Sequence, residues 1–462
     1  MTEYQLPSED SNQDIARQIA AKDRAVVDNA DLRKGGSIHS SPALWENLVI
    51  FGSADKNVYA LDKHAGKLVW KFLTGDSIAS SPFVDNSVVY IGSYDHYIYA
   101  LRASDGTLIW KFLTGDVIYA SPTVADGIVH IGSLDNYHYA LRASDGKLLW
   151  KFKAKDIFIG SPLVVNNTLL LSPDQNEIYG LEPRTGKLKW TFRLPIMAVG
   201  GVIADASGNL LANYTNRKPI NTKEKAVACF GNISTTHFFM VDIETGRLLK
   251  ENMMFRYSPF GASINEGIYY CGSMEQFLSA VDIKNEKVLW QFRTGGIVST
   301  QPSIHKGKVY FGSYDQHLYV LDARDGRLLW KFRTDGIVSC CPVIEGNVIY
   351  FGSWDTYLYA IDVEKRELLW RFKTAAPPSK PSFVSTLLSL ARIKQNVVRW
   401  WKPEAPRIKI YETKPAVQQA DGPAAYKTEI GYKSEVGYKS SAPVGYEMRK
   451  DKKKDWRDPF RR

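Results

Sequence analysis

The chain has 462 residues, 44% of them hydrophobic and 12% aromatic, with 59 Lys plus Arg against 49 Asp plus Glu for a net charge of +10. That length and apolar content allow a large core and exclude a chain disordered throughout. Four cysteines, Cys229, Cys271, Cys340 and Cys341, give neither a disulfide framework nor zinc-type spacing.

Residues 1–35 form an N-terminal extension that opens Met1-Thr2-Glu3-Tyr4. It lacks the basic start and the apolar run of about 7–15 residues that a secretory leader needs, so a cytoplasmic location is expected. Ser11 to Val27 reads as a short helix, with Ser11 and Asp14 as a capping pair and Ile15, Ile19 and Val26 on one face.

From Gly36 the sequence repeats. Trp70, Trp110, Trp150 and Trp190 are 40 residues apart, as are Trp290, Trp330 and Trp370. Between the two series one marker is missing: Lys250 stands where tryptophan is expected, with about 20 extra residues upstream. Within a unit, Val88 to Ile91, Tyr97 to Leu101 and Leu108 to Phe112 are β-branched and aromatic runs separated by turn chemistry, and a further strand follows Ser81-Pro82. Four strands per 40-residue unit describe one propeller blade, and eight units describe an all-β, eight-bladed propeller over residues 36–381. Gly66, Gly106, Gly146, Gly186, Gly246 and Gly326 open the turn into the outer strand, and the tryptophan that follows is placed to dock between blades.

The stretch Ala100 to Trp110, with its Ala, Gly and Trp, resembles the quinoprotein-type repeat. That repeat builds the eight-bladed propellers of pyrroloquinoline-quinone (PQQ) dehydrogenases and of the bacterial outer-membrane assembly lipoprotein. The resemblance implies the fold, and it leaves function between oxidoreductase and binding scaffold. A PQQ enzyme would need a calcium site of Glu and Asn, a general-base Asp and a tryptophan floor. No position outside the repeats matches them.

A residue present in every blade serves every blade, so breaks in the repeat are where function is sought. Asp55, Asp95, Asp135, Asp315 and Asp355, with Glu275 at the same phase, ring one face, joined by Asp76, Asp116, Asp156 and Asp335 in the connections between blades. They read either as a surface for a cation or basic partner or as side chains that close their own turns; repetition favours the second. In blade five the insertion from Asn216, carrying Arg217, Lys218, Lys223 and Lys225, is expected to overhang this acidic face as a partner clamp. Cys340-Cys341 replaces the small pair Ser80-Ser81; adjacent cysteines pair in some PQQ dehydrogenases, but packing explains them here. His96, His138 and His317 sit at different phases and form no ligand set.

Residues 382–403 read as an amphipathic helix ended by Pro403, with Arg392, Lys394, Arg399, Trp400 and Trp401 suited either to a membrane interface or to docking on the propeller. Residues 404–462 read as a disordered basic tail with Tyr-Lys repeats, Tyr426, Tyr432, Tyr438 and Tyr446, suited to multivalent capture by a protein. From Lys373 onward there are 20 Lys plus Arg against 9 Asp plus Glu, so the basic excess belongs to this segment and residues 1–372 sum to −1. Interspersed Asp451, Asp455 and Asp458 argue against nucleic acid as its partner.

These readings give a cytoplasmic, non-enzymatic propeller scaffold, peripheral to a membrane or held in a protein assembly, with no cofactor. The alternatives are a PQQ oxidoreductase using Ca2+, and a propeller that senses a small ligand in its central funnel.

Overall fold

The computed structural model describes residues 36–173, 177–193, 198–205, 210–212, 226–232, 237–253, 259–273, 275–282, 285 and 287–374. The helices expected over 11–27 and 382–403, and the tail, lie outside the described residues.

Blade one shows how the sequence makes a blade. Ala43–Trp45, Leu48–Gly52, Asn57–Asp62 and Leu68–Leu73 form one antiparallel sheet in chain order. The first hairpin turns on two residues, Trp45 pairing with Leu48. In blade two the turn residues Asn86 and Ser87 have φ of 46° and 61°, the left-handed pair that matches strand twist in a two-residue turn. The second and third strands are nearly fully buried, because neighbouring blades cover both of their faces. Between third and outer strands the register slips at Ala60/Leu61, where a bulge leaves Leu68 and Val69 both outward and turns Trp70 inward.

That tryptophan joins the blades. The Trp70 Nε1–H donates to the Ala103 carbonyl at 2.8 Å, Trp110 to Ala143 at 2.8 Å, and Trp290 to Ala323 at 3.0 Å. Each ring lies on the turn glycine of the next blade. At Gly146, whose φ is +71°, a Cβ would sit 2.7 Å from the Trp110 ring. Glycine is therefore required twice, for its left-handed backbone and for the space. The same contact closes the ring: Trp370 donates to Lys63 at 3.0 Å and lies on Gly66, while Ile38, Phe51, Tyr350 and Trp370 share one core cluster.

Seven sheets are four-stranded as expected. The fifth corrects the sequence reading: it has five strands, ordered Leu210–Ala212, Ala198–Asp205, Ala226–Asn232, His237–Asp242 and Leu248–Met253. Leu210–Ala212 had the look of the blade's second strand. It adds instead to the free edge of Ala198–Asp205, while Ala226–Asn232 takes the second place, Asp205 opposite Ala226. The insertion thus interrupts the link between innermost and second strands. Its C-terminal end re-enters opposite Asp205, at the inner-hairpin end of the blade, rather than in the turn between second and third strands where it was expected to overhang the acidic face. Arg217, Lys218, Lys223 and Lys225 themselves lie outside the described residues.

Candidate functional site

The face bearing the Gly-Ser-x-Asp turns is built by two interlocking elements. Each chain segment entering a blade lies against the previous blade's turn: Ile78 N–H donates to Ser53, Ile118 to Ser93 and Val338 to Ser313, each at 3.2 Å. Returning bonds run from Tyr94 N–H to Ser77 and from Trp354 N–H to Ile337. These clasps hold the ring aspartates in fixed places.

The aspartates brace the turns. One Asp95 oxygen accepts from the Tyr97 N–H at 3.0 Å; the other accepts from the Tyr99 hydroxyl at 2.6 Å and from the Gly75 N–H at 2.6 Å. Asp135, Asp315 and Asp355 repeat the tyrosine bond, and each also accepts from the chain entering its own blade. Asp55 bonds Asn57 and Tyr59 and is almost wholly buried; desolvation raises its pKa, against the pull of those bonds. For Asp315 desolvation also acts upward, but hydrogen bonds from His317, Tyr319 and Gly295 prevail and hold it at about 2. Carboxylates committed in this way do not form an open acidic surface. Glu275 is exposed at its turn.

Toward the axis a second ring of bonds links the innermost strands. The Ser41 N–H donates to Ser81 Oγ at 2.9 Å, Ser81 to Ser121 at 2.9 Å, and Ser121 to Ser161 at 3.1 Å. On the other side Gln301 N–H donates to Cys341 Sγ at 3.3 Å, and Cys341 N–H donates to Ser41 Oγ at 2.9 Å. Cys340 is buried beside it, its Sγ accepting from the Gly352 N–H at 3.0 Å just as Ser80 Oγ accepts from Gly92. Neither cysteine is in a disulfide, and burial pushes the Cys340 thiol up to about 12. They stand in for serine hydroxyls, as the packing reading expects.

At the mouth of the axis the repeat breaks, and the breaks are aromatic. Tyr94 and Tyr119 stack at 6.2 Å and 28°. Tyr314 lies 6.0 Å from Trp354, and His39 lies 4.7 Å from the same indole. Trp354 is 38% exposed and Tyr119 39%. Desolvation and then the nearby Tyr314 raise the Tyr119 hydroxyl pKa. Tyr119 enters the third sheet and Tyr314 belongs to the seventh, half a turn away in a ring of eight, so both side chains must reach inward for this effect. His39 accepts or donates at Ser37 Oγ, 3.0 Å away, and burial lowers it to about 4, leaving it neutral. The sequence reading missed these residues. The signal was present, since the variable position of Gly-Ser-x-Asp is aromatic in Tyr94, Tyr314 and Trp354.

Elsewhere the structure separates the expected groups. His138 is buried against His130 at 3.4 Å, in the core between the third and fourth blades, whereas His96 lies in a turn of blade two and His317 opens a strand of blade seven. No group of three His, Cys, Asp or Glu side chains fit to hold a metal occurs among the described residues. The candidates Arg392, Lys394, Arg399, Trp400, Trp401, Tyr426, Tyr432, Tyr438 and Tyr446 lie outside the described residues.

The fold and the axial geometry define a closed β-propeller of quinoprotein-type blades. A family model described as outer membrane protein assembly factor BamB matches residues 11–117, 97–264 and 273–399, and the chain belongs to that family. A search of curated proteins returns no match. Among solved structures the chain is similar to BamB from Moraxella catarrhalis, at 18% identity and TM-score 0.54 over 68% of this chain and 91% of that one. It is also similar to quinohemoprotein alcohol dehydrogenase from Comamonas testosteroni, at 15% identity and TM-score 0.58 over 71% of each chain. The computationally designed Ika8 protein gives 15% identity and TM-score 0.59 over 71% of this chain and 96% of that one. At these identities the likeness is one of fold.

Six of the entering segments offer no charged partner for PQQ. That cofactor carries carboxylates that need cationic partners and a metal. The entering segments 37–41, 77–81, 117–121, 157–161, 297–301 and 337–341 contain no Lys, Arg, Asp or Glu.

Proposed function

We propose that the protein is a non-enzymatic propeller scaffold, cytoplasmic and peripheral to a membrane, that holds a protein partner or assembly. The observation that carries this reading is a set of exposed apolar side chains on the outer strands of two neighbouring blades. Most outer strands expose apolar side chains at the bulge, but blades one and two add Leu73, 64% exposed, and Leu113, 54% exposed, at strand ends. Five of the six other blades place Lys153, Arg193, Arg293, Arg333 and Lys373 there, and blade five has Met253. Leu68, Val69, Leu73, Leu108, Ile109 and Leu113 are thus exposed together on two adjacent blades. An apolar surface of this kind, bordered by charge, marks a protein contact. Membership of a family described as an assembly factor supports the same reading, and the basic excess after Lys373 supports a membrane or assembly tether.

The test compares native-lysate capture by the full chain, by Leu73→Lys with Leu113→Lys, and by a chain ending at Lys373, keeping the membrane fraction. The double variant uses the residue type that other blades tolerate, so the fold should stand. Loss of a partner in the double variant locates the contact on the rim, and loss of membranes on truncation assigns the tether. Unchanged capture by the double variant refutes the rim reading.

A further inference from the structure

We propose that the aromatic mouth of the axis is a binding site for a small alkylated ammonium group, held by the rings of Tyr94, Tyr119, Tyr314 and Trp354. The repeat does not require these rings. At the same phase as Tyr94, Tyr314 and Trp354, blades one and three have Ala54 and Leu134, and at the phase of Tyr119 blades two and eight have Ala79 and Ser339. At the first of these phases the clasp is made by the backbone N–H of Ala54, Tyr94, Leu134, Tyr314 and Trp354 alike, so it forms whatever the side chain.

The rings lie in two arcs on opposite sides of the axis, Tyr94 with Tyr119 and Tyr314 with Trp354. Tyr119 leads into blade three and Tyr314 belongs to blade seven, half a turn apart in the ring, and Tyr314 contributes, after desolvation, to the raised Tyr119 pKa. All four side chains keep part of their surface open to solvent. Trp354 is oriented by its Nε1–H, which donates to Ser339 Oγ at 2.8 Å, and by His39 against its ring. Elsewhere in the molecule half-buried tyrosine rings already carry a cation: Lys111 lies 4.4 Å from the centroid of Tyr97, and Arg371 lies 4.4 Å from that of Tyr357. Among the described residues no such contact involves the four axial rings.

The chemistry selects the ligand. Ring faces are electron-rich and attract a cation most when the surroundings exclude water. The entering segments contribute no Lys or Arg to repel a cation, and the carboxylate of Asp76, which acts on the Tyr94 hydroxyl, adds negative charge beside the rings. A methylated ammonium, weakly hydrated and with apolar methyl groups, matches neutral aromatic walls better than a bare ammonium or a metal ion.

The experiment is calorimetric titration of the full chain with choline and with its uncharged carbon isostere, 3,3-dimethylbutan-1-ol. Saturable choline binding is expected, at least about fivefold tighter than the isostere, the ratio that a cation–π gain of about 1 kcal/mol produces. Tyr119→Ala and Trp354→Leu should each weaken choline at least about fivefold. Both side chains are exposed, so unchanged thermal midpoints will show that the fold is kept, and Leu113→Ala on the rim should bind choline as the parent does. Equal binding of choline and isostere, no saturable binding of choline, or full binding by both axial variants would overturn the proposal. Each leaves the rim reading standing, because that reading is tested at Leu73 and Leu113 by capture of a protein.

Discussion

If the tryptophan and the next blade's glycine form one joint, their substitutions must couple. Trp110 is 8% exposed, its indole bonds Ala143, and its ring covers Gly146. Trp110→Ala removes that burial and the bond and is expected to cost about 3–5 kcal/mol. Gly146→Ala meets two penalties: a left-handed backbone at φ +71°, about 1–2 kcal/mol for a residue with a Cβ, and a Cβ 2.7 Å from the Trp110 ring. In the Trp110→Ala background the second penalty disappears, since the ring is gone. The double variant should therefore be more stable than the sum of the single losses by about 1–2 kcal/mol, within the range seen for residues in contact. Urea unfolding followed by far-UV circular dichroism, on parent, both singles and the double, gives the coupling. Additivity within about 0.5 kcal/mol would show that the ring does not rest on the glycine and would refute the joint.

The buried pair His130 and His138 should make stability depend on pH. Burial lowers both, His130 to about 3, while an unfolded histidine titrates near about 6.5. The unfolded state then binds more protons, so stability is full above pH ~6.5 and falls below it, by up to about 1.4 kcal/mol per pH unit for each histidine. His130→Tyr with His138→Leu, which restores the residues of other blades, should flatten thermal midpoints measured between pH 7 and 5, and an unchanged slope would rule the pair out as its source. Asp95→Asn should destabilise by about 1–3 kcal/mol, because a carboxylate oxygen shared by the Tyr99 hydroxyl and the Gly75 N–H is replaced; a denaturant midpoint equal to that of the parent would refute the brace. Cys271 and Cys340 should resist a thiol reagent at pH 8 in the native protein and react fully in denaturant, burial holding both thiols protonated. Mass spectrometry that finds a Cys340-Cys341 disulfide would refute the serine-replacement account.

Much of the blade was legible because the interactions that define it are short in sequence and repeated. The tryptophan spacing, the turn glycines and the Asp position each follow from local rules applied every 40 residues. Blade five escapes such rules: Leu210–Ala212 has the composition of a second strand, yet pairing across the sheet gives that place to Ala226–Asn232. β-propensity identifies a strand but not its neighbour. The acidic ring was located correctly as positions, while its occupation was hidden. The tyrosine four residues on was readable, but the N–H of the chain entering from the previous blade, 20 residues back, was not.

The sequence by itself determined the propeller, the number of repeats and the joint between them, because each is encoded in residues that must satisfy the same local geometry again and again. Only the tertiary structure decided what the exceptions do. Ring closure brought Tyr119 within reach of Tyr314 from half a turn away and set Trp354 beside His39. It also left leucines exposed on the outer strands of two successive blades. Such neighbours are separated by tens to hundreds of residues along the chain, and no periodicity within one repeat records them.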